Sequence, residues 1–189
     1  MCKSMSSLEI ALQLHGHFCP ELLVGVRLAE LAQKLLLLEN GDAKQSALTA
    51  IAESPSCVID ALQAILGCTA GKGNLLIRNG SKKEYTIINQ PARQKVVIQV
   101  MIDSQLDSEF SRFYDLTQQP HLTAAETIEK ESLTGSLFET IMTSPNEQLF
   151  TWQYIDEMPT LSEKESGHLI NTSFVCPSWP LPYGEWHYV

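Results

Sequence analysis

The sequence predicts an α+β fold: one core domain with a mixed or antiparallel sheet flanked by helices, followed by an extended C-terminal arm. Three observations predict it. Val24, Leu28, Leu31, Leu35 and Leu38 recur at helical spacing. Short apolar runs at 48–52, 75–77, 85–88 and 96–101 are separated by turn residues, as strands are. The end of the chain is crowded with Pro177, Pro180, Pro182 and Gly184, interleaved with Trp179 and Trp186, which no core element tolerates. At 189 residues the chain fits one domain, taken as 1–159, with an arm at 160–189.

The elements follow in order. Ser6 or Ser7 caps a short first helix carrying Leu8, Ile10, Ala11, Leu12 and Leu14. Pro20 suits the first position of a second helix, where its missing N–H is no loss, and Asn40-Gly41 closes that run. Residues 48–52 read as a buried strand ended by Ser54-Pro55-Ser56. A third helix runs over 57–66, with Val58, Leu62, Ile65 and Leu66 on its apolar side and Gly67 at its end. Asn79-Gly80 between the apolar runs 75–77 and 85–88 predicts a hairpin. A strand over 96–101 follows, then helices over 107–116, 121–131 and 133–142, and an alternating last strand over 150–154.

Composition excludes several functions. A formal net charge of −9 is the wrong sign for a duplex nucleic-acid binder, which needs clustered Lys and Arg against phosphates. The run Leu35-Leu36-Leu37-Leu38 is far short of a membrane span, and the first residues lack the apolar core of a secretory signal. The expected location is the cytoplasm, where five cysteines serve as thiols or ligands rather than disulfides. A charged fraction of 19% is low for a fully solvated surface and points to a covered patch, such as one occupied by a second copy of the chain.

The chemistry concentrates in His15-Gly16-His17-Phe18-Cys19-Pro20. In an extended backbone the side chains of His15, His17 and Cys19 share one face. Gly16 and the Pro20 helix start favour that form over a helix. Cys19 would cap the second helix, where backbone N–H groups and the helix dipole favour a thiolate. Two imidazoles and a thiolate suit one transition-metal ion per chain, zinc foremost, with nickel, iron and copper also compatible. A further ligand is expected from Cys57 or Cys68. These lie eleven residues apart, so a continuous helix would separate them by roughly 16 Å, too far to share an ion. Cys57, at a helix start, is the favoured ligand, and Asp60 one turn on is the expected partner supporting the site from behind.

Residues 67–74, Gly-Cys-Thr-Ala-Gly-Lys-Gly-Asn, look like a phosphate loop but have one residue too few before Gly-Lys and follow a helix. Nucleotide binding is rejected there. Lys72 and Asn74 remain as candidate contacts to a small anionic ligand. No Cys-x-x-Cys occurs, which disfavours thiol redox chemistry between Cys19 and Cys57 or Cys68. His168, Cys176 and His187 are too widely spaced for a zinc pattern and read as part of a partner-contacting arm.

These segments carry a family resemblance. His-Gly-His-Phe-Cys-Pro at 15–20, Gly25, Cys57 with Asp60-Ala61 and Gln63, and the glycine-rich 67–74 resemble the FmdE family, which takes its name from molybdenum formylmethanofuran dehydrogenase. The match in order and spacing covers 10 to about 100 and reaches the strand near Phe150. The resemblance implies an α+β core in an intertwined homodimer, with a metal near the His/Cys segment, and no defined reaction. Longer members add a four-cysteine zinc ribbon. This chain keeps Cys176-Pro177 but lacks the other cysteines, so that ribbon is not carried over. Glu21 stands where the family has Gly, offering either an oxygen ligand or a carboxylate for the helix N-terminus. The readings that follow are a metal carrier, sensor or metalloenzyme accessory factor and, alternatively, a metal-dependent enzyme with an open coordination position acting on a small anion.

Overall fold

The computed structural model describes residues 5–36, 48–90 and 92–155. Helix α1 (Ser7–His15) begins at a capping box in which Ser6 and Glu9 satisfy each other's backbone N–H groups. Helix α2 (Pro20–Leu35) has Pro20 in its first turn and Cys19 as its cap, as the sequence predicts. Its expected stop at Asn40-Gly41 lies outside the described residues, as does the arm at 160–189. Strand β1 (Leu48–Ala52) leads to α3 (Val58–Leu66), and Gly67 ends that helix in the left-handed region at φ 64°. A short 3-10 turn (Ala70–Lys72) then precedes β2 (Leu75–Ile77). Strands β3 (Glu84–Asn89) and β4 (Gln94–Val100) follow, then α4 (Ser104–Gln118), α5 (Ala124–Thr143), the single turn α6 (Asn146–Leu149) and β5 (Phe150–Tyr154).

The five strands form one mixed sheet in the order β2-β1-β3-β4-β5. Only β1 and β2 are parallel, joined through α3, and the other neighbours are antiparallel. All five residues of β1 are buried, as expected of an inner strand covered on both faces. Helix α2 packs on β4, α3 and α5, and α1 lies against α2 and α3. Leu22, Leu23, Leu28 and Leu62 are fully buried in this core with Ile87 and Ile98. Arg27 of α2 reaches the far end of α5, donating to the carbonyls of Ile141 and Ser144 (2.8 Å for the latter) and to Asn146 Oδ1 (2.7 Å). A cation at a helix C-terminus satisfies carbonyls that the helix itself leaves open.

Two sequence expectations are corrected. Asn79-Gly80 does not make a hairpin, because β1 lies between β2 and β3. Gly80 is absent from the positive-φ glycines, so the turn type that Asn-Gly favours does not form. The glycine answers a different need: its N–H donates to the Glu53 carbonyl at 2.8 Å, and a Cβ there would lie 2.6 Å from that same oxygen. The helices expected at 121–131 and 133–142 are one 20-residue helix, started by a Thr123/Glu126 capping box. Gly135 costs that helix only propensity, about 1 kcal/mol, since no proline interrupts it and Leu137 and Ile141 anchor it in the core.

Candidate metal centre

His15 is the last residue of α1 and is buried. Gly16 then reverses the chain at φ 85°, a left-handed conformation that side chains other than glycine rarely adopt. The chain passes through His17 and Phe18 to Cys19, which is extended at φ −148° and caps α2, its Sγ accepting from Leu22 N–H at 3.3 Å. The three donors therefore converge from two helix ends rather than from one extended strand, which corrects the expected geometry. One ligand atom from each of His15, His17 and Cys19 lies within 4.8 Å of the other two. The imidazole centroids are 4.3 Å apart, and His15 Nε2 and His17 Nδ1 are shielded from solvent. Donors around a tetrahedral zinc ion stand roughly 3.3–3.8 Å apart, so the set fits such an ion after a contraction of about 1 Å.

The electrostatics favour this chemistry. The C-terminal end of α1 favours positive charge at His15, and the N-terminal end of α2 favours a thiolate at Cys19. Behind the group, His15 Nδ1 lies 2.7 Å from Asp60 Oδ2, the arrangement in which a ligating histidine holds its ring through the nitrogen turned away from the metal. Phe18 covers the turn and meets Phe138 of α5 with ring centroids 6.3 Å apart.

The other expected site residues lie elsewhere. Cys57 is buried at the start of α3 but falls outside the three-residue group, and its side chain makes no cap hydrogen bond. Its φ of −63° and ψ of −18° are already helical, so the thiol is not turned back over the first helical N–H groups as an extended cap would be. Glu21 serves the start of α3, its Oε2 accepting from Cys57 N–H at 3.4 Å. Cys68 is fully buried at the other end of α3, again outside the group. Burial pushes its thiol up to about 11, against the opposing field of Lys72, so it is a neutral thiol near pH 7. Lys72 is exposed on the 3-10 turn. Asn74 has a structural job: Oδ1 accepts from Thr69 N–H at 2.8 Å and Nδ2 donates to the Leu48 carbonyl at 2.7 Å, tying the glycine-rich turn to β1.

Sequence reasoning missed Tyr85 and the cavity it lines. A space of about 260 Å³ opens beside the first turns of α2 and α3, bordered by Glu21, Val24, Ser56, Tyr85, Asp107 and Phe110. The Tyr85 hydroxyl pairs with that of Ser56 at 2.7 Å, and burial pushes the phenol up to about 12. No local pattern marks Tyr85, because strand β3 and the start of α3 meet only through the sheet.

Among the described residues no helix is long and apolar enough to cross a membrane. Comparison with known proteins places this geometry. A probable S-adenosyl-L-methionine-binding protein of Archaeoglobus fulgidus is 35% identical over 83 residues, which is 42% of this chain and 22% of that protein. The chain thus spans about a fifth of that relative's length. The crystal structure of a tungsten formylmethanofuran dehydrogenase FmdE-like protein from Syntrophus aciditrophicus superposes with a TM-score of 0.55 at 19% identity, covering 82% of this chain and 75% of that one. That likeness shows a shared fold. The family model described as FmdE, molybdenum formylmethanofuran dehydrogenase operon, matches residues 14–151, from just before the His/Cys segment to the last strand, and the chain belongs to this family.

Proposed function

We propose that the protein binds one transition-metal ion per chain, zinc foremost, through His15, His17 and Cys19, and acts as a metal carrier, a sensor or an accessory factor for a metalloenzyme. The observation that carries this reading is the convergence of two imidazoles and one thiol, with ligand atoms within 4.8 Å, at the junction of two helix ends. Imidazole and thiolate together are borderline-soft donors suited to zinc, nickel, copper or iron. A bound ion is what the group would supply, and this chain's residues would hold it and orient its donors. The test is metal analysis of freshly purified protein with a His17→Ala companion. Close to one equivalent in the parent and little in the variant is expected, and a metal-free parent that also takes up no zinc on titration overturns the reading.

A second reading is a metal-dependent enzyme. Three protein donors leave one position of a tetrahedral ion for Cys57, after a shift, or for water or a substrate. The cavity favours the latter, since Glu21 on its wall is two residues from Cys19. Its 260 Å³ is just under the roughly 300–1,000 Å³ of ordinary ligand pockets, so it suits a small molecule. X-ray absorption of the metal-loaded protein separates the readings: an oxygen donor in the fourth position supports an enzyme, and a second sulfur, from Cys57, supports a closed site. We also propose a homodimer. Ile128 and Phe138 on α5 are exposed at 68% and 40%, apolar surface that a second copy would cover, and light scattering of the purified protein tests it.

A further inference from the structure

We infer that Gln63 is a positioning residue for the metal group, holding the Asp60 carboxylate that in turn orients His15. The inference rests on the metal-binding reading for its purpose, though not for its geometry. Asp60 and Gln63 are one turn apart on α3 and so share a face of that helix. Gln63 Nε2 donates to Asp60 Oδ1 at 3.1 Å, while Asp60 Oδ2 lies 2.7 Å from His15 Nδ1. Each carboxylate oxygen thus has its own partner, and the plane of the carboxylate is set from both sides.

Exposure decides why a second holder is needed. The His15 side chain is 6% exposed but that of Asp60 is 35% exposed. A carboxylate that open to water can rotate and exchange the imidazole for solvent at little cost, since a net hydrogen bond is worth only about 0.5–1.5 kcal/mol. The Gln63 amide removes that freedom. With Oδ2 facing Nδ1, the imidazole proton stays on Nδ1 and the lone pair on Nε2, the nitrogen available for a metal. The choice of amide also fits the task. Glutamine is a neutral donor, so it orients the carboxylate without cancelling the negative charge that makes the imidazole a better donor to a cation. An acid at 63 would repel Asp60, and an aliphatic residue would release it.

The experiment uses the full chain with Gln63→Glu, Gln63→Leu and Gln63→Lys. Glutamate keeps the shape and removes the donor, leucine removes both polar ends, and lysine restores a donor. Two readouts are taken: the imidazole ¹⁵N shifts of His15 in metal-free protein at pH 8, and Zn²⁺ affinity by competition with a chelator. Losing a residue that supports a metal ligand typically costs 10–100-fold in affinity, and Gln63 acts one step further back. We therefore expect about a tenfold loss for Glu and Leu, a partial shift of His15 toward the Nε2–H tautomer, and recovery of most of both in the lysine variant. Circular dichroism checks the fold, and the glutamate variant keeps the test open if leucine disturbs packing. Wild-type His15 carrying its proton on Nε2, or Glu and Leu variants with unchanged tautomer and affinity, overturns the inference. If the wild type binds no metal the metal reading falls, while the metal-free ¹⁵N spectra still decide whether Gln63 positions His15.

Discussion

Gly25 and Ala61 bring α2 and α3 together so closely that a Cβ on Gly25 would lie 2.8 Å from Ala61 Cβ. The same atom would sit 2.8 Å from Val58 Cα and 3.0 Å from its carbonyl oxygen, so backbone as well as side chain closes the gap. Helix α2 starts at Cys19 and α3 carries Asp60, so this crossing also helps set where His15 finds its carboxylate. Gly25→Ala should therefore destabilise the fold by about 1–3 kcal/mol through overpacking. It should also weaken zinc binding, because α3 must move. Urea denaturation and chelator competition measure the two effects, and an unperturbed fold with unperturbed zinc affinity would show that the crossing tolerates a methyl group.

The Cys19 thiol has two jobs that a single substitution separates. It caps α2 through Leu22 N–H and belongs to the His/Cys group. Serine is a better helix cap than most residues but a poorer metal donor. Cys19→Ser should keep or slightly raise thermal stability while metal content drops several-fold. A serine variant that retains a full equivalent of metal places the ion elsewhere.

Asn74 should matter for stability and not for metal. Asn74→Ala removes both hydrogen bonds of the carboxamide, leaving Thr69 N–H and the Leu48 carbonyl without that partner. About 2–3 kcal/mol of stability should be lost, by the usual worth of two such bonds. Metal analysis of the same variant should match the parent. Full stability together with lost affinity for a small anion such as phosphate would return Asn74 to a ligand-binding role.

Alkaline pH should loosen the fold in a defined window. The Cys68 thiol rises from 9.0 to about 11 and the Tyr85 phenol from 10.0 to about 12, both chiefly through burial. Each group holds its proton more tightly folded than unfolded. Its contribution is therefore intact below pH 9.0 for Cys68 and below 10.0 for Tyr85, and is lost as pH climbs through 11 and 12. Together they should cost on the order of a few kcal/mol. Denaturation midpoints should be flat from neutral pH to about 9 and then fall, and Tyr85→Phe and Cys68→Ala should each flatten part of that decline. A midpoint that falls equally in the double variant assigns the loss to other groups.

What the sequence determined alone was mostly local. The starts of α1 and α2, the stop of α3 at Gly67 and the position of Cys19 as a cap all depend on hydrogen bonds spanning three or four residues, which can be counted along the chain. The His15, His17 and Cys19 donors were legible for the same reason, since their spacing alone keeps them within reach. Asp60 was named as their support from its place one turn into α3, and only the packing of α1 on α3 brings it within 2.7 Å of His15, across a separation of 45 residues. The tertiary structure also decided that β1 stands between β2 and β3, that Cys57 and Cys68 fall outside the donor group, and that Tyr85 meets Ser56. Each of these depends on which surfaces bury best against one another over the whole chain, a competition among distant partners that no local pattern of residues records.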